Sequence, residues 1–166
     1  FRFSNATPDC HRIAADLIER GAEPEALHAR IYGSSPVRKY RLLQRALDTL
    51  EFEEETGIAW MRVPTDAYRE LGAEPEDLEG MVDVPRGIEG VEVGLLFRSS
   101  SSGEIKVSFR ANGTVDVNRL ARRFGGGGHV KASGCMLPGP MDRAVDEVLA
   151  ATRAAVEASR RGEEPR

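Results

Sequence analysis

The spacing of hydrophobic and polar positions changes once along this chain, near residue 50. Before it, apolar residues recur every three or four positions. Thr7-Pro8 reads as a helix start, with Thr as cap and Pro at the first helical position; Ile13, Leu17 and Ile18 form the apolar stripe and Gly21 the stop. Pro24–Tyr32 predicts a second short helix ended by Gly33, and Pro36 opens a third with Tyr40, Leu43, Leu47 and Leu50 at helical spacing. From residue 51 the period shortens toward two. Residues 52–55 and 58–63 straddle Thr56-Gly57 and read as a hairpin. Residues 64–71 predict a helix stopped by Gly72, 75–78 a further turn and 81–84 a short strand. Residues 91–97 and 104–110 read as paired strands joined by a serine-rich turn at 99–103. A helix carrying Val117, Leu120, Ala121 and Phe124 then leads into a run of glycines and a small-residue strand at 132–137. Pro138-Gly139-Pro140 breaks the chain before a last amphipathic helix with Val145, Val148, Leu149, Thr152 and Val156 on one stripe. The tail at 159–166 is charged and reads as disordered. The expected fold class is α/β of the α+β type: a mixed β-sheet flanked by helices, preceded by a helical segment.

Composition narrows the function classes. The chain has 166 residues, 40% hydrophobic and 30% charged, enough for a real core. No apolar run approaches the roughly 20 residues of a membrane span, and the start lacks a cationic-then-apolar leader pattern. The expectation is a cytoplasmic protein without a membrane partner. Cys10 and Cys135 lie far apart with no ligand-like spacing, so both read as reduced thiols. The net charge of −4 hides an uneven distribution. Residues 51–92 carry 13 acidic and 3 basic side chains, whereas residues 98–131 carry 7 basic and 2 acidic. A positive segment within a mildly acidic whole suits a small anionic ligand better than long duplex DNA.

The positive segment contains the most distinctive motif, Gly125-Gly126-Gly127-Gly128-His129, closed by Ala132-Ser133-Gly134. Residues without Cβ let backbone N–H groups approach an anion, and the histidine adds a donor that carries charge near neutral pH. Glycine after a helix is also a common stop, so phosphate binding and a helix-ending turn both stand on spacing alone. Upstream, Lys106, Ser108 and Arg110 share one face of the alternating strand 105–110: a cation, a hydroxyl and a planar fork suited to phosphate. Arg38, Lys39, Arg41 and Arg45 in the third helix read as a solvated face, with contact to a phosphate backbone as the alternative, and His11 and His28 read as surface histidines. The chain offers too few Cys and His for a zinc site and no sharp-turn serine-hydrolase motif. No catalytic or metal-ligating set can be assembled.

The order strand, Asn112-Gly113 turn, Asp116-Val117-Asn118, helix, glycine run and histidine resembles the DHH-associated domain at the C-terminus of DHH-family phosphoesterases, within them the NanoRNase A group. Phe1-Arg2-Phe3-Ser4-Asn5-Ala6-Thr7-Pro8 is similar to the segment that closes the catalytic DHH domain of that family, and the Asp-His-His triplet and metal-binding aspartates are absent from the sequence. The resemblance implies residues 1–50 as the end of a catalytic domain and a helical linker, 51–158 as the substrate-binding domain, and 159–166 as the tail. It implies substrate binding by Ser108, Arg110, Gly126, Gly127, Gly128 and His129, with two manganese ions held in the missing DHH domain. The implied reaction is hydrolysis of short oligoribonucleotides and of 3′-phosphoadenosine 5′-phosphate. The implied partners are those ligands and the chain's own DHH domain, with a homodimer left open, and this stretch alone is expected to be inactive. A non-catalytic nucleic-acid-binding appendage, as in alanyl-tRNA synthetases, is the alternative, and a pure dimerisation module a third reading. Asn118 serves either as a polar contact or as part of the helix cap. Two motifs depart from the family pattern: Ala132-Ser133-Gly134 replaces Ala-Ala-Gly, adding a hydroxyl expected as a further contact, and Ser108-Phe109-Arg110-Ala111 replaces Ser-Leu-Arg-Ser.

Overall fold

The computed structural model describes residues 6–100 and 102–162. The chain divides into two compact units, Phe1–Pro36 and Val37–Arg166. In the first, α1 (Pro8–Glu19) begins as expected: Thr7 is extended at the cap and Pro8 fills the first turn, where its missing N–H leaves no bond unmade. Helix α2 (Pro24–Tyr32) starts on Pro24 in the same way. Neither helix buries a residue, and Ile13, Leu17 and Ile18 are each more than half exposed. Phe1 to Asn5, which carry most of the opening likeness to a DHH domain, lie outside the described residues.

The second unit is built on one sheet. Its strands are β1 (Glu51–Glu53), β2 (Ile58–Val63), β3 (Val93–Ser99), β4 (Ile105–Ala111), β5 (Gly127–His129) and β6 (Ala132–Leu137), in the spatial order β1-β2-β3-β4-β6-β5. Only β2 and β3 pair in parallel. A parallel pair needs a long crossover, and here it carries α4 (Thr65–Glu70), a 3₁₀ turn (Pro75–Leu78) and α5 (Asp83–Arg86). Helix α3 (Val37–Leu47) precedes the sheet, α6 (Val117–Arg122) lies between β4 and β5, and α7 (Met141–Arg160) closes the unit.

Alternation along the strands divides the apolar residues between two layers. On one face Ile58, Trp60, Val93, Leu95, Phe97, Ile105, Val107 and Phe109 pack with Val117, Leu120 and Ala121 of α6 and Val145, Val148 and Val156 of α7. On the other, Met61, Val63 and Leu96 pack with Leu42, Ala46, Ala67, Leu78, Met81 and Val82. That second layer takes residues from β2 and β3 and none from β4, β6 or β5. One half of this face is therefore roofed by helices and the other half is open.

Three expectations need correction. In α3 the spacing picks out Tyr40, Leu43, Leu47 and Leu50, but Leu42 and Ala46 are the fully buried pair, while Tyr40 and Leu47 are exposed. The helix packs on the sheet through a face one position away, so it belongs to the compact unit that begins at Val37. Residues 81–84 form no strand. Met81 and Val82 are buried in turn-bonded backbone, with Met81 N–H donating to the Leu78 carbonyl, and Asp83 opens α5. The Asp83 and Val84 N–H groups donate to the Gly80 and Met81 carbonyls, so this backbone bonds to itself in turns and not to a neighbouring strand. Ser159 and Arg160, expected in a disordered tail, end α7: the Ser159 and Thr114 hydroxyls are hydrogen-bonded at 2.7 Å, and Arg160 pairs with Glu92 at 2.9 Å.

Asp77 ties α3 to the crossover. It is 3% exposed, and its Oδ2 accepts from Arg38 Nε at 2.7 Å and from the Glu74 N–H at 2.8 Å. Burial pushes its carboxyl up, but the Glu74 N–H and the Arg38 guanidinium outweigh burial and hold it below the usual 3.8. A carboxylate depressed on folding contributes stability above its unfolded value, lost as pH falls through the folded one. Asp77→Asn should lower unfolding free energy by about 1.5–3 kcal/mol near neutral pH, the range for hydrogen bonds to charged groups. Urea titrations from pH 7 down to pH 3 should show that gap narrowing with acidification. A constant gap would mean the ion pair contributes nothing.

Candidate functional site

The open half of the sheet is ordered by register. Arg110 of β4 pairs with Ala132 of β6, which pairs with His129 of β5. Ser108 pairs with Gly134, and Gly134 with Gly127; Lys106 pairs with Met136. Directly opposed residues point to the same face of a sheet. Arg110 and His129 thus stand in one row, two strands apart (about 10 Å at the usual strand spacing), with only a methyl group between them. In the next row Ser108 looks across two glycines. The result is a groove of about 600 Å³ lined by Lys106, Ser108 and Arg110, the glycines 125–128 and the strand 132–136. Every substrate-binding residue expected from the sequence lines it except His129, which is exposed and directly follows the lining residue Gly128.

The glycine run is not a free loop. Residues 127–129 form the edge strand of a hairpin with β6. Its N–H groups are largely spoken for: Gly126 donates to the Ala121 carbonyl at 2.9 Å, and Gly128 donates to Asn118 Oδ1 at 3.0 Å. Backbone donation by these two to a ligand, as anticipated, is replaced by bonds within the protein. What the glycines supply is space. A Cβ on Gly126 would stand 2.6 Å from Cys135 Cβ, and one on Gly128 would stand 2.6 Å from the Ala132 carbonyl oxygen, where φ is also +147°. On Gly127 the nearest neighbour is Asn118 Oδ1 at 3.7 Å, an ordinary contact.

Helix α6 fixes this hairpin. Asp116 caps it, accepting from the N–H groups of Asn118 and Arg119 at 2.9 and 3.1 Å. That leaves the Asn118 side chain to clamp Gly128, a role its position in the helix did not reveal. Ser133 does not face the ligand side: it is buried, and its hydroxyl donates to the Val117 carbonyl at 2.5 Å. Burial also pushes the Cys135 thiol up to about 11, so this free cysteine is a neutral wall residue at neutral pH.

Arg110 is partly committed. Its Nη1 donates to the Phe109 carbonyl at 3.0 Å, and its Nε lies 3.8 Å from Asp83 Oδ1, which also pairs with Arg86 at 3.0 Å. Asp83 comes from the first turn of α5, and no local signal near it announces this contact. The approach depends on Gly94, whose Cβ would lie 2.6 Å from the Arg86 nitrogen. Among the described residues, no three His, Cys, Asp or Glu side chains converge on a point that could hold a metal ion.

The DHHA1 domain family matches residues 57–158, which include the whole groove. This chain belongs to that family. The bifunctional oligoribonuclease and PAP phosphatase NrnA of Thermus thermophilus is 37% identical over 92% of this DHHA1 chain, and that of Bacillus subtilis 26% identical over 82% of it. The chain spans 45% and 42% of those relatives. Among solved structures, an exopolyphosphatase-related protein from Bacteroides fragilis superposes with a TM-score of 0.88 at 25% identity, covering 95% of this chain and 46% of that one. The likeness to the DHH-family phosphoesterases and the mixed sheet flanked by helices are both as expected from the sequence. No helix among the described residues is long and apolar enough to cross a membrane.

The steric reading of the DHHA1 glycines separates neighbours. Gly128→Ala should lose about 1–3 kcal/mol of stability, because the methyl group forces backbone to move in a packed hairpin. Gly127→Ala should stay within about 0.5 kcal/mol of the parent. Equilibrium urea unfolding of both variants checks this; equal losses would contradict it.

Proposed function

We propose that this chain is the substrate-holding half of a DHH-family phosphoesterase, and that its open half-sheet grips a phosphate of a nucleotide or short oligoribonucleotide. The observation that carries the proposal is the row in which Arg110 and His129 share one face across a strand that offers no bulk. A guanidinium presents two parallel donors to phosphate oxygens, so Arg110 is the principal grip. Ser108, one row along, adds a hydroxyl donor, and His129 closes on the anion from the rim. Gly127 and Gly134 keep the floor low enough for a phosphate to reach these side chains. Because Arg110 is prepositioned by Asp83 rather than free in solvent, less order has to be imposed when an anion arrives. Donors fixed in this way also stabilise charge that develops on the phosphate during hydrolysis.

The relatives named as oligoribonuclease and PAP phosphatase support this choice of ligand class. In this reading a manganese pair belongs to a DHH domain, since the donor set described here does not fit it. The chain alone accordingly binds ligand without turning it over.

Calorimetric titration with 3′-phosphoadenosine 5′-phosphate tests the site. Arg110→Ala should weaken binding by about 1.5–3 kcal/mol, a loss of roughly ten- to a hundredfold. Arg110→Lys should recover only part, because a point charge lacks the fork. Gly127→Ala, still folded, should also bind more weakly. Parent-like affinity in both Arg110 variants would show that the groove is not the anion site. Incubation of the chain with manganese and the same ligand should release no phosphate; robust metal-dependent turnover would refute the division of labour.

A further inference from the structure

A second cavity, of about 760 Å³, adjoins the first and shares Lys106 and Met136 with it. It lies where β2, β3 and β6 end and β4 begins, within the same compact unit. Tyr68, Pro64, Pro75 and Val63 give it flat apolar walls, and Arg69, Arg98 and Lys106 bring three cations against the single carboxylate of Asp66.

Two of those cations are placed in an unfavourable way. Arg98 and Lys106 are directly opposed across the β3–β4 ladder, an arrangement that repels. Neither has an ion-pair partner among the described residues, although most arginines of this chain do. A local conflict of this kind at the mouth of a cavity is what an anion would relieve. The Tyr68 ring is close by: burial raises its hydroxyl above the ordinary 10.0, and the Arg98 charge acts in the opposite direction. An aromatic face beside unpaired cations is a platform for a nucleobase and its phosphate. Length decides what kind of ligand reaches it. Lys106 and Arg110 are four residues apart on one strand, about 13 Å, too far for one phosphate to touch both.

We propose that this cavity is a second nucleotide subsite, in which Arg98 and Lys106 take the phosphate, and Tyr68 the base, of the nucleotide next to the one held at Arg110. This rests on the function proposed above and adds a preference: ligands of two or more linked nucleotides gain contacts that a single nucleotide does not.

The test compares two ligands by calorimetry on the chain and its variants: a 5′-phosphorylated triadenylate RNA and 3′-phosphoadenosine 5′-phosphate. Arg98→Ala and Arg98→Glu should weaken the trinucleotide by about tenfold or more, as loss of a charged phosphate contact does, and change the mononucleotide by less than about twofold. Lys106→Ala should also weaken the trinucleotide; because Lys106 lines both cavities, the discrimination between ligands is read from the Arg98 variants. The thermal midpoint of Arg98→Ala should stay level or rise, since a repulsion is removed; this separates lost contact from lost fold. Arg110→Ala should weaken both ligands. If it does while the Arg98 variants bind the trinucleotide as the parent does, or weaken both ligands equally, the second subsite is wrong and the first stands. If Arg110→Ala affects neither ligand, or the parent binds neither, both readings fall.

Discussion

Side chains alternate along a strand, so burying Ile105, Val107, Phe109 and Ala111 of β4 against α6 and α7 commits Lys106, Ser108 and Arg110 to the opposite face. The part of the proposed grip that β4 supplies follows from that commitment. A one-residue slip of β4 would bury two cations and expose Phe109, so the register is held by the same burial that forms the core. The crossover between β2 and β3 supplies the second half of the arrangement. Its short helices and α3 cover the β2 and β3 side and stop there, leaving β4, β6 and β5 as an uncovered polar face inside an otherwise packed domain.

The glycines acquire a different meaning within this frame. Four in a row suggest a mobile loop wrapping a phosphate with its N–H groups. The observed run is a hairpin strand whose donors at Gly126 and Gly128 are already bonded to α6. Here absence of Cβ serves close packing at Gly126 and Gly128 and a low groove floor at Gly127 and Gly134. In the proposed function the side chains of Arg110, Ser108 and His129 do the binding, on a surface whose shape is set by strand pairing rather than by loop flexibility.

The strongly periodic segments were legible in the sequence. The alternation at 105–110, the Pro-initiated helices and the stripe on α7 each correspond to an observed element, because in each the local pattern and the tertiary environment agree. So did the clustering of Ser108, Arg110 and the glycines in one groove. Other features depend on distant partners and left no local trace. Leu42 and Ala46 bury a face of α3 chosen by the crossover beneath it, while Met81, Val82 and Val84 are apolar because they plug the second layer. Asp83 reaches Arg110 only because Gly94 lets α5 lie close on β3. Ser133 turns toward Val117 because its strand parity assigns it to the α6 side. The like-charge pair Arg98 and Lys106 emerges only once the β3–β4 register is known.

In the proposed function one face of the sheet divides into a covered half and an anion-binding half. Amide chemical shifts recorded on ¹⁵N-labelled chain during titration with 3′-phosphoadenosine 5′-phosphate test it most directly. Saturable changes are expected at Ser108, Arg110, Gly126 to His129 and the facing strand at 132–136, with β2 and α7 silent. Changes centred on α7 or spread over the acidic crossover, with the glycine hairpin unmoved, would contradict it.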